Sequence, residues 1–437
     1  MSGDDCFKVL DKIFSAKNPE SIENIKGYTI KYGNIKDDKN EIVDEVLVSY
    51  FKAPKSYTTE DMCEINTHGG VVVLRKILDL CLKNGAVLAE PGEFTKRAFL
   101  NGRIDLLQAE SVIDIIHSKS EKETKNSINQ LEGHLSKKIN SIKKKIMDVM
   151  VNVEVAIDYP EYDEGDATNE ELLEMFRDVQ NDLERLENSF DSGKIIKEGI
   201  KTAIIGKPNA GKSSLLNAIL KEERAIVTDI EGTTRDTIEE FVNIEGIPLK
   251  LVDTAGIRET DNEVEKIGVV KSKKIANDAD LIIAIFDSSK ELTDEDIEIL
   301  DIIKGKKVII VLNKMDLETK IDENNKLLKD VSNYIVKISA LNETGIEEIY
   351  KKINEMFNLN EINVDNETVI TNLRHKNLIS KAIENVKKAR ETLENGMPTD
   401  VIAIFIKDIL EALGEITGEE VTENIINEIF AKFCLGK

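Results

Sequence analysis

The feature that most constrains the fold of this chain is a glycine-containing loop between a short apolar strand and an apolar helix. Residues 201–205 are predicted to form the strand, Gly206-Lys-Pro-Asn-Ala-Gly-Lys212-Ser213-Ser214 follows, and residues 215–220 are predicted to be helical. This is the pattern GxxxxGK[ST] in the strand–loop–helix setting that a P-loop requires. Backbone N–H groups of such a loop surround phosphates, and the dipole of the helix N-terminus favours their charge. We therefore expect Lys212 to reach the β- and γ-phosphates of a nucleotide and Ser213 to offer its hydroxyl to Mg²⁺.

Four further segments follow in the order typical of a guanine-nucleotide domain, each beside a predicted strand. They are Gly232-Thr-Thr-Arg-Asp236, Asp253-Thr-Ala-Gly256, Asn313-Lys-Met-Asp316 and Ser339-Ala-Leu341. The Asp316 carboxylate is able to accept both the N1–H and the exocyclic amine of guanine, whereas adenine offers no matching pair of donors. Sites built on such contacts discriminate by a factor on the order of 10⁴. The sequence therefore predicts GTP binding and hydrolysis, and the alternative is a degenerate domain that binds the nucleotide without cleaving it.

The predicted nucleotide contacts form one set along these five segments. They are Asn209, Ala210, Gly211, Lys212, Ser213, Ser214, Thr228, Thr233, Thr234, Asp253, Gly256, Asn313, Lys314, Asp316, Ser339, Ala340 and Leu341.

The predicted catalytic residues are Lys212, Thr234, Gly256 and Glu265. A threonine at position 234 is suited to close over the γ-phosphate and supply a second Mg²⁺ ligand, and the Gly256 amide is suited to sense that phosphate. Many GTPases place a glutamine after the DxxG segment to orient the attacking water, but this chain has Ile257 there. Glu265 is the candidate replacement, and the alternative is an exposed carboxylate at the start of a helix.

The pattern of apolar residues predicts a multidomain α/β and all-α protein. Residues 1–102 mix short apolar runs with turns, as an α+β domain does, while residues 103–198 and 359–437 have apolar residues at helical spacing. Residues 199–358 alternate apolar strands with amphipathic helices, which predicts a doubly wound parallel sheet. Because neither helical stretch offers a closed core alone, we expect a P-loop domain inserted in one helical domain. Thr417 and Glu420 match a capping box, which predicts the start of a final helix there.

Composition narrows the class of protein. A formal charge of −24 argues against nucleic-acid binding by the whole surface, so RNA contact requires a local basic patch or a partner. The densest basic stretch, Lys137, Lys138 and residues 143–145, is equally well explained as a solvated helix face. The apolar runs are too short for a membrane span, and the sequence does not open on a signal peptide. Four cysteines without CxxC or metal-ligand spacing fit a reducing compartment, so we expect a cytoplasmic protein.

The chain resembles the MnmE (TrmE) family of tRNA-modification GTPases over nearly its whole length. The resemblance is carried by the P-loop, by Thr228-Asp-Ile-Glu-Gly-Thr-Thr-Arg-Asp236 and by Glu263-Val-Glu265-Lys-Ile-Gly268. Three segments outside the nucleotide motifs are more specific: Pro91-Gly-Glu-Phe-Thr95, Arg97-Ala-Phe-Leu-Asn101 and Phe433-Cys434-Leu-Gly-Lys437. Ribosome-assembly GTPases, which act as RNA-binding switches, share the nucleotide motifs and are the alternative reading. A scaffold that holds GTP without hydrolysing it is a third.

The resemblance implies a potassium-stimulated GTPase that modifies the wobble uridine of tRNA at C5 with a flavoprotein of the MnmG/GidA family. It implies a homodimer through the N-terminal domains, transient contact between nucleotide domains, and formyl- or methylene-tetrahydrofolate as the one-carbon source. By this resemblance Asn209, Thr228, Ile230 and Thr233 match K⁺ ligands, Ser213 and Thr234 match Mg²⁺ ligands, and Glu265 matches the carboxylate that orients water. Glu64, Arg103 and Lys437 match folate contacts.

Two features at the chain ends also follow from the comparison with the family. Members usually open with a strand, a Gly-rich segment and an Arg-Ile-Ser-Gly stretch, and Met1-Ser2-Gly3 falls at the end of that stretch. The resemblance therefore predicts that this chain lacks the extreme N-terminal segment of the family, with an arginine that contacts folate. Cys434 matches the tail cysteine, and from its position alone we expect a buried thiol at a helix end.

Overall fold

The computed structural model describes residues 1–18, 26–158, 169–221, 225–226, 240–244, 246–252, 273, 275–359, 369–434 and 436. These residues form two compact units. The first contains residues 1–116, 130–180 and 381–437, and the second contains residues 117–129 and 181–380. The domain boundaries expected from the sequence, at residues 102, 198 and 358, remain predictions.

The first unit begins with a four-stranded antiparallel sheet in the order β1-β2-β3-β4. One face of the sheet packs on helices α1 and α2 through apolar residues such as Leu10, Val48 and Ile77. Ile30 and Tyr32, two residues apart in β2, are 63% and 44% exposed, and Leu47, opposite Tyr32 in β3, is 46% exposed. The second face of the sheet therefore carries apolar side chains in contact with solvent. The elements are α1 (Cys6–Ile13), β1 (Phe14–Ala16), β2 (Thr29–Lys36), β3 (Ile42–Phe51), β4 (Met62–Asn66) and α2 (Val71–Lys83).

The rest of the first unit is helical. Leu135, Ile139, Ile142, Ile146 and Val149 lie on one face of α6 at the spacing of a helix turn and are fully buried, and α6 packs on α13. The helices from α3 to α7 are α3 (Glu93–Leu100), α4 (Leu106–His117), α5 (Glu121–Leu131), α6 (His134–Asp158) and α7 (Asn169–Glu198). Of these, α5 belongs almost entirely to the second unit, and so do residues 181–198 of α7. The last three helices are α12 (Leu373–Glu394), α13 (Thr399–Thr417) and α14 (Glu423–Phe430), and residues 373–380 of α12 belong to the second unit.

The second unit is built on a seven-stranded sheet in the order β11-β10-β9-β5-β8-β7-β6. The five strands from β11 to β8 are parallel, and almost every residue of β9 and β10 is buried, as expected of strands covered on both faces. The predicted parallel sheet is therefore correct for these strands. β7 instead runs antiparallel to both of its neighbours, β8 and β6, and a short hairpin joins it to β8. The strands are β5 (Ile200–Ile205), β6 (Ala225–Ile226), β7 (Glu240–Ile244), β8 (Ile247–Val252), β9 (Leu281–Asp287), β10 (Val308–Asn313) and β11 (Ile335–Lys337).

The other described helices of the second unit each follow a strand of this sheet in the chain. They are α8 (Lys212–Lys221), α9 (Asp294–Ile303), α10 (Lys326–Lys329) and α11 (Ile346–Phe357). The loops after β5, β9 and β10 lie at the carboxyl edge of the parallel strands, which is where ligands bind in open α/β sheets. This edge holds all the described residues of the predicted nucleotide site.

Two predictions from the sequence are wrong. Thr417 is the last residue of α13, and Gly418, with φ of 90°, ends that helix in the left-handed conformation, so the final helix begins later, after the N-cap Thr422. Cys434 is exposed and lies beyond the end of α14, so it is not a buried thiol. Among the described residues, none of the helices combines the length and apolar content that a membrane span needs.

Candidate nucleotide site

The P-loop connects the end of β5 at Ile205 to the start of α8 at Lys212. Two of its glycines lie where a side chain has no room. A Cβ on Gly206 would lie 2.5 Å from the carbonyl oxygen of Ile285, and a Cβ on Gly211 would lie 2.1 Å from Nδ2 of Asn313. Gly211 also has a φ of 104°, a backbone conformation that residues with a side chain rarely adopt. Both glycines are therefore required by the close approach of the loop to β9 and β10.

The loop curls around the ammonium group of Lys212. Its Nζ donates hydrogen bonds of 2.7 Å to the carbonyl oxygens of both Gly206 and Lys207. Burial lowers the pKa of Lys212, because removal from water disfavours the charged form. A phosphate beside this ammonium would restore the favourable interaction that burial removes. The geometry therefore fits an anionic ligand inside the loop.

The outer part of the loop is anchored by Lys207. Its Nζ lies 2.6 Å from a carboxylate oxygen of Asp296 and donates a 2.7 Å hydrogen bond to the Thr293 hydroxyl. Asp296 also accepts from the backbone N–H of Thr293, so these two residues form the capping box at the N-terminus of α9. Asp296 is buried and the Lys207 side chain is only 21% exposed, so this ion pair is largely screened from solvent.

Asn313, at the end of β10, joins three parts of the site through one buried side chain. Its Nδ2 donates a 2.8 Å hydrogen bond to the carbonyl oxygen of Ala210 in the P-loop. Its Oδ1 accepts a 2.9 Å hydrogen bond from the backbone N–H of Ala340 in the Ser339-Ala-Leu341 loop. The phosphate-binding loop and the two predicted base-binding segments are therefore held together by the protein itself.

The predicted base-recognition carboxylate is oriented by a neighbouring hydroxyl. Ser339 Oγ donates a 2.5 Å hydrogen bond to Oδ1 of Asp316, while the rest of the Asp316 side chain is exposed. Lys314, with φ of 66°, is held by a 2.7 Å ion pair to Asp287 at the end of β9. Burial acts to raise the pKa of Asp287, but hydrogen bonds from Lys314 and Ser289 outweigh it and hold the pKa below its usual range.

The remaining described residues of the predicted site lie along the same edge. Asn209 is exposed with φ of 61°, and Ser213 and Ser214 lie in the first turn of α8, whose N-terminal N–H groups favour anions. Leu341 is 80% exposed. The other predicted nucleotide, metal and catalytic residues lie outside the described residues: Thr228, Ile230, Thr233, Thr234, Asp253, Gly256 and Glu265.

Two of the predicted folate residues, Glu64 and Arg103, are described, and both lie in the first unit. Glu64 is exposed in β4, opposite Ser49 of β3. Arg103 is also exposed, and its guanidinium stacks over the ring of Tyr57 at 4.4 Å from the centroid. Lys437 lies outside the described residues.

Three residues that position the site were missed in the sequence: Asp287, Lys207 and Asp296. A signal was available for Asp287, because it ends a strand of otherwise apolar residues at the carboxyl edge of the sheet, where polar side chains reach ligands. The pairing of Lys207 with Asp296 had no sequence signal, because the two residues are brought together only by the packing of α9 beside the P-loop.

Two family models match the chain. Residues 1–103 match the model described as GTP-binding protein TrmE N-terminus, and residues 106–434 match the model described as MnmE helical domain. Together the matches extend well beyond the nucleotide motifs that many GTPases share.

The chain is also similar over its whole length to curated proteins named tRNA modification GTPase MnmE. It is 51% identical to the protein of Thermoanaerobacter pseudethanolicus and 52% identical to that of Clostridioides difficile, covering 100% of this chain and 95% of each relative. It is 49% identical to the protein of Lactococcus lactis subsp. lactis, covering 94% of that relative.

Proposed function

The chain belongs to the MnmE family of tRNA modification GTPases, and from that membership we propose that its GTP hydrolysis drives modification of the tRNA wobble uridine at C5 in the cytoplasm. The partner in this proposal is a flavoprotein of the MnmG/GidA family, which also provides most of the contact with tRNA. The ribosome-assembly alternative shares only the nucleotide motifs, whereas the family matches cover the N-terminal and helical regions too. The observation that carries the nucleotide part is the Asn313 bridge between the phosphate and base segments.

In the proposed mechanism, each side chain of the nucleotide site has a separate role. Lys212 binds the β- and γ-phosphates, and Asp316, oriented by Ser339, accepts the two guanine donors. Thr234 and the Gly256 amide approach the γ-phosphate, so the segments that carry them respond to its loss. Glu265 orients the attacking water, a role that Ile257 has no polar group to fill.

Two cations complete the proposed site. Ser213 and Thr234 would hold Mg²⁺, and Asn209 would hold K⁺ with Thr228, Ile230 and Thr233. Their chemistry is to neutralise the negative charge that develops on the phosphoryl oxygens in the transition state. Asn209 is suited to this because its exposed amide oxygen, at the edge of the P-loop, is a neutral ligand for a weakly hydrated ion.

The remaining part of the proposal concerns the one-carbon unit and assembly. Glu64, Arg103 and Lys437 would contact formyl- or methylene-tetrahydrofolate in the N-terminal domain. The N-terminal domains would form a permanent homodimer, while the nucleotide domains of the two chains would meet only in the GTP state.

The potassium part is tested by measuring GTP turnover in K⁺ and in Na⁺ at equal ionic strength. We expect faster turnover in K⁺, and we expect Asn209→Ala to remove the difference without a large change in GDP affinity. Asn325→Ala is the matched control, because Asn325 only caps α10. Equal rates of the unsubstituted protein in both salts would contradict the potassium role.

The tRNA part is tested in cells that lack this gene. Mass spectrometry of tRNA nucleosides should show the loss of the C5 modification, its return with the unsubstituted gene, and no return with Lys212→Ala. Full modification supported by a Lys212→Ala protein without GTP turnover would separate hydrolysis from modification and contradict the proposal.

A further inference from the structure

Helix α5 lies far from the P-loop in sequence, yet residues 117–129 belong to the same compact unit as the nucleotide site. The side of this helix that is buried is polar. Ser120, Glu123, Asn126 and Ser127 are each 3–5% exposed. Buried polar groups are favourable only when they are hydrogen-bonded, so such a face requires specific partners.

The start of α5 is fixed by its own hydrogen bonds. The Ser120 hydroxyl accepts from the backbone N–H of Glu123 at 3.1 Å, and the Glu123 carboxylate accepts from the backbone N–H of Lys119 at 2.6 Å. This reciprocal arrangement is close to a capping box and satisfies two backbone donors at the helix start. It also fixes the backbone from which the side chains of Lys119 and Lys122 project.

Both lysines contact the β7–β8 hairpin. The ammonium of Lys119 lies 4.0 Å from the ring centroid of Phe241 in β7. The side chain of Lys122 packs on the hairpin turn, where a Cβ on Gly246 would lie 2.9 Å from its Cγ. The Lys122 ammonium continues past the turn and donates a 3.3 Å hydrogen bond to the carbonyl oxygen of Leu359.

The position of this hairpin in the chain gives the contacts their significance. β7 begins at Glu240, shortly after the segment that carries Thr234, and β8 ends at Val252, immediately before Asp253. We propose that Lys119 and Lys122 are positioning residues, which brace the hairpin between the two nucleotide-responsive segments and thereby slow the release of bound nucleotide. This inference rests on the roles of Thr234 and Gly256 in the proposed function.

The brace is tested by the rate at which the protein releases fluorescently labelled GDP in the presence of Mg²⁺. A cation–π contact at a partly exposed site changes an equilibrium by about two- to fivefold. We expect Lys119→Ala to accelerate GDP release by about this factor. Lys122→Ala should also accelerate it, and neither variant should show a matching fall in melting temperature. Lys137→Ala, at an exposed position on α6, is the control and should release GDP at the unsubstituted rate.

A conservative variant of Lys122 separates the packing of its side chain on Gly246 from its hydrogen bond to Leu359. Lys122→Met keeps an unbranched side chain against Gly246 and loses only the bond to Leu359, so its release rate should return close to that of the unsubstituted protein. A Lys122→Met protein as fast as Lys122→Ala contradicts the packing contact, and unaltered release from both alanine variants overturns the brace. Absence of GTP turnover in the unsubstituted protein would instead refute the proposed function.

Discussion

Replacing Asn313 with alanine should lower both the free energy of unfolding of the second unit and its affinity for nucleotide. The substitution removes two hydrogen bonds at once and leaves the Ala210 carbonyl and the Ala340 N–H without their partner. Each buried polar group left unsatisfied costs about 1–3 kcal/mol, so the pair costs about 2–6 kcal/mol. Water entering the vacated space would bond to both groups, so the lower end, about 2–3 kcal/mol, is expected.

The effect on nucleotide affinity follows from the same bridge. Without Asn313 the P-loop and the Ser339-Ala-Leu341 loop are no longer tied, and GDP has to order them as it binds. If that ordering takes the free energy of about one hydrogen bond, GDP affinity falls about five- to tenfold.

Urea unfolding followed by far-UV circular dichroism measures the first effect, since the chain has no tryptophan to report by fluorescence. Titration calorimetry with GDP measures the second. Asn325→Ala is the matched control, because the same chemical change there removes one cap hydrogen bond at a half-buried position, which costs about 1 kcal/mol. If Asn313→Ala loses no more stability than this control and binds GDP normally, Asn313 is not the bridge that its two contacts describe.

Three further outcomes are expected. Burial lowers the pKa of Lys212 in the free protein, and a bound phosphate would raise it. GDP affinity should therefore be constant below the lowered pKa and should fall as the pH rises through it toward 10.5. Lys212→Arg should remove this decline in a pH series of calorimetric titrations. Asp316→Asn should shift preference from GTP to xanthosine triphosphate in competition binding, and unchanged GTP affinity would contradict the base-recognition role. Gly193→Ala should destabilise the second unit by about 1–3 kcal/mol in urea unfolding, because the new Cβ would lie 2.0 Å from the Ile370 carbonyl oxygen. Helix propensity alone favours alanine over glycine by about 1 kcal/mol, so a more stable variant would refute the close contact.

The parallel strands and the P-loop were predictable because their signals are local. β9 and β10 are continuous apolar runs of strand length, and the Gly206–Lys212 spacing imposes a loop that only a strand and a helix accommodate. The reversed direction of β7 was not predicted, because the alternation of strands and helices indicates parallel strands, whereas the short turn around Gly246 reverses the chain.

The sequence predicted which residues belong to the candidate site, but it did not predict which of them contact one another. The sequence identified Asn313 as a nucleotide residue, yet its two hydrogen bonds to loops at Ala210 and Ala340 depend on how β5, β10 and β11 are ordered in the sheet. The contact between the β7–β8 hairpin and helix α5 was likewise not predictable from the sequence of that helix. Its buried face is made of Ser, Glu and Asn, which any periodicity argument assigns to solvent.

The solvent-facing side of the N-terminal sheet has a consequence for how this protein behaves at different concentrations. Ile30, Tyr32 and Leu47 expose apolar surface that a monomer leaves in water. In the proposed homodimer, the partner chain would cover that surface and so contribute to the stability of the domain. That contribution would depend on protein concentration, because it is present only when the two chains are associated. The midpoint of thermal unfolding of the N-terminal domain should then rise with protein concentration, so dilution alone would weaken this domain while leaving the nucleotide unit unaffected.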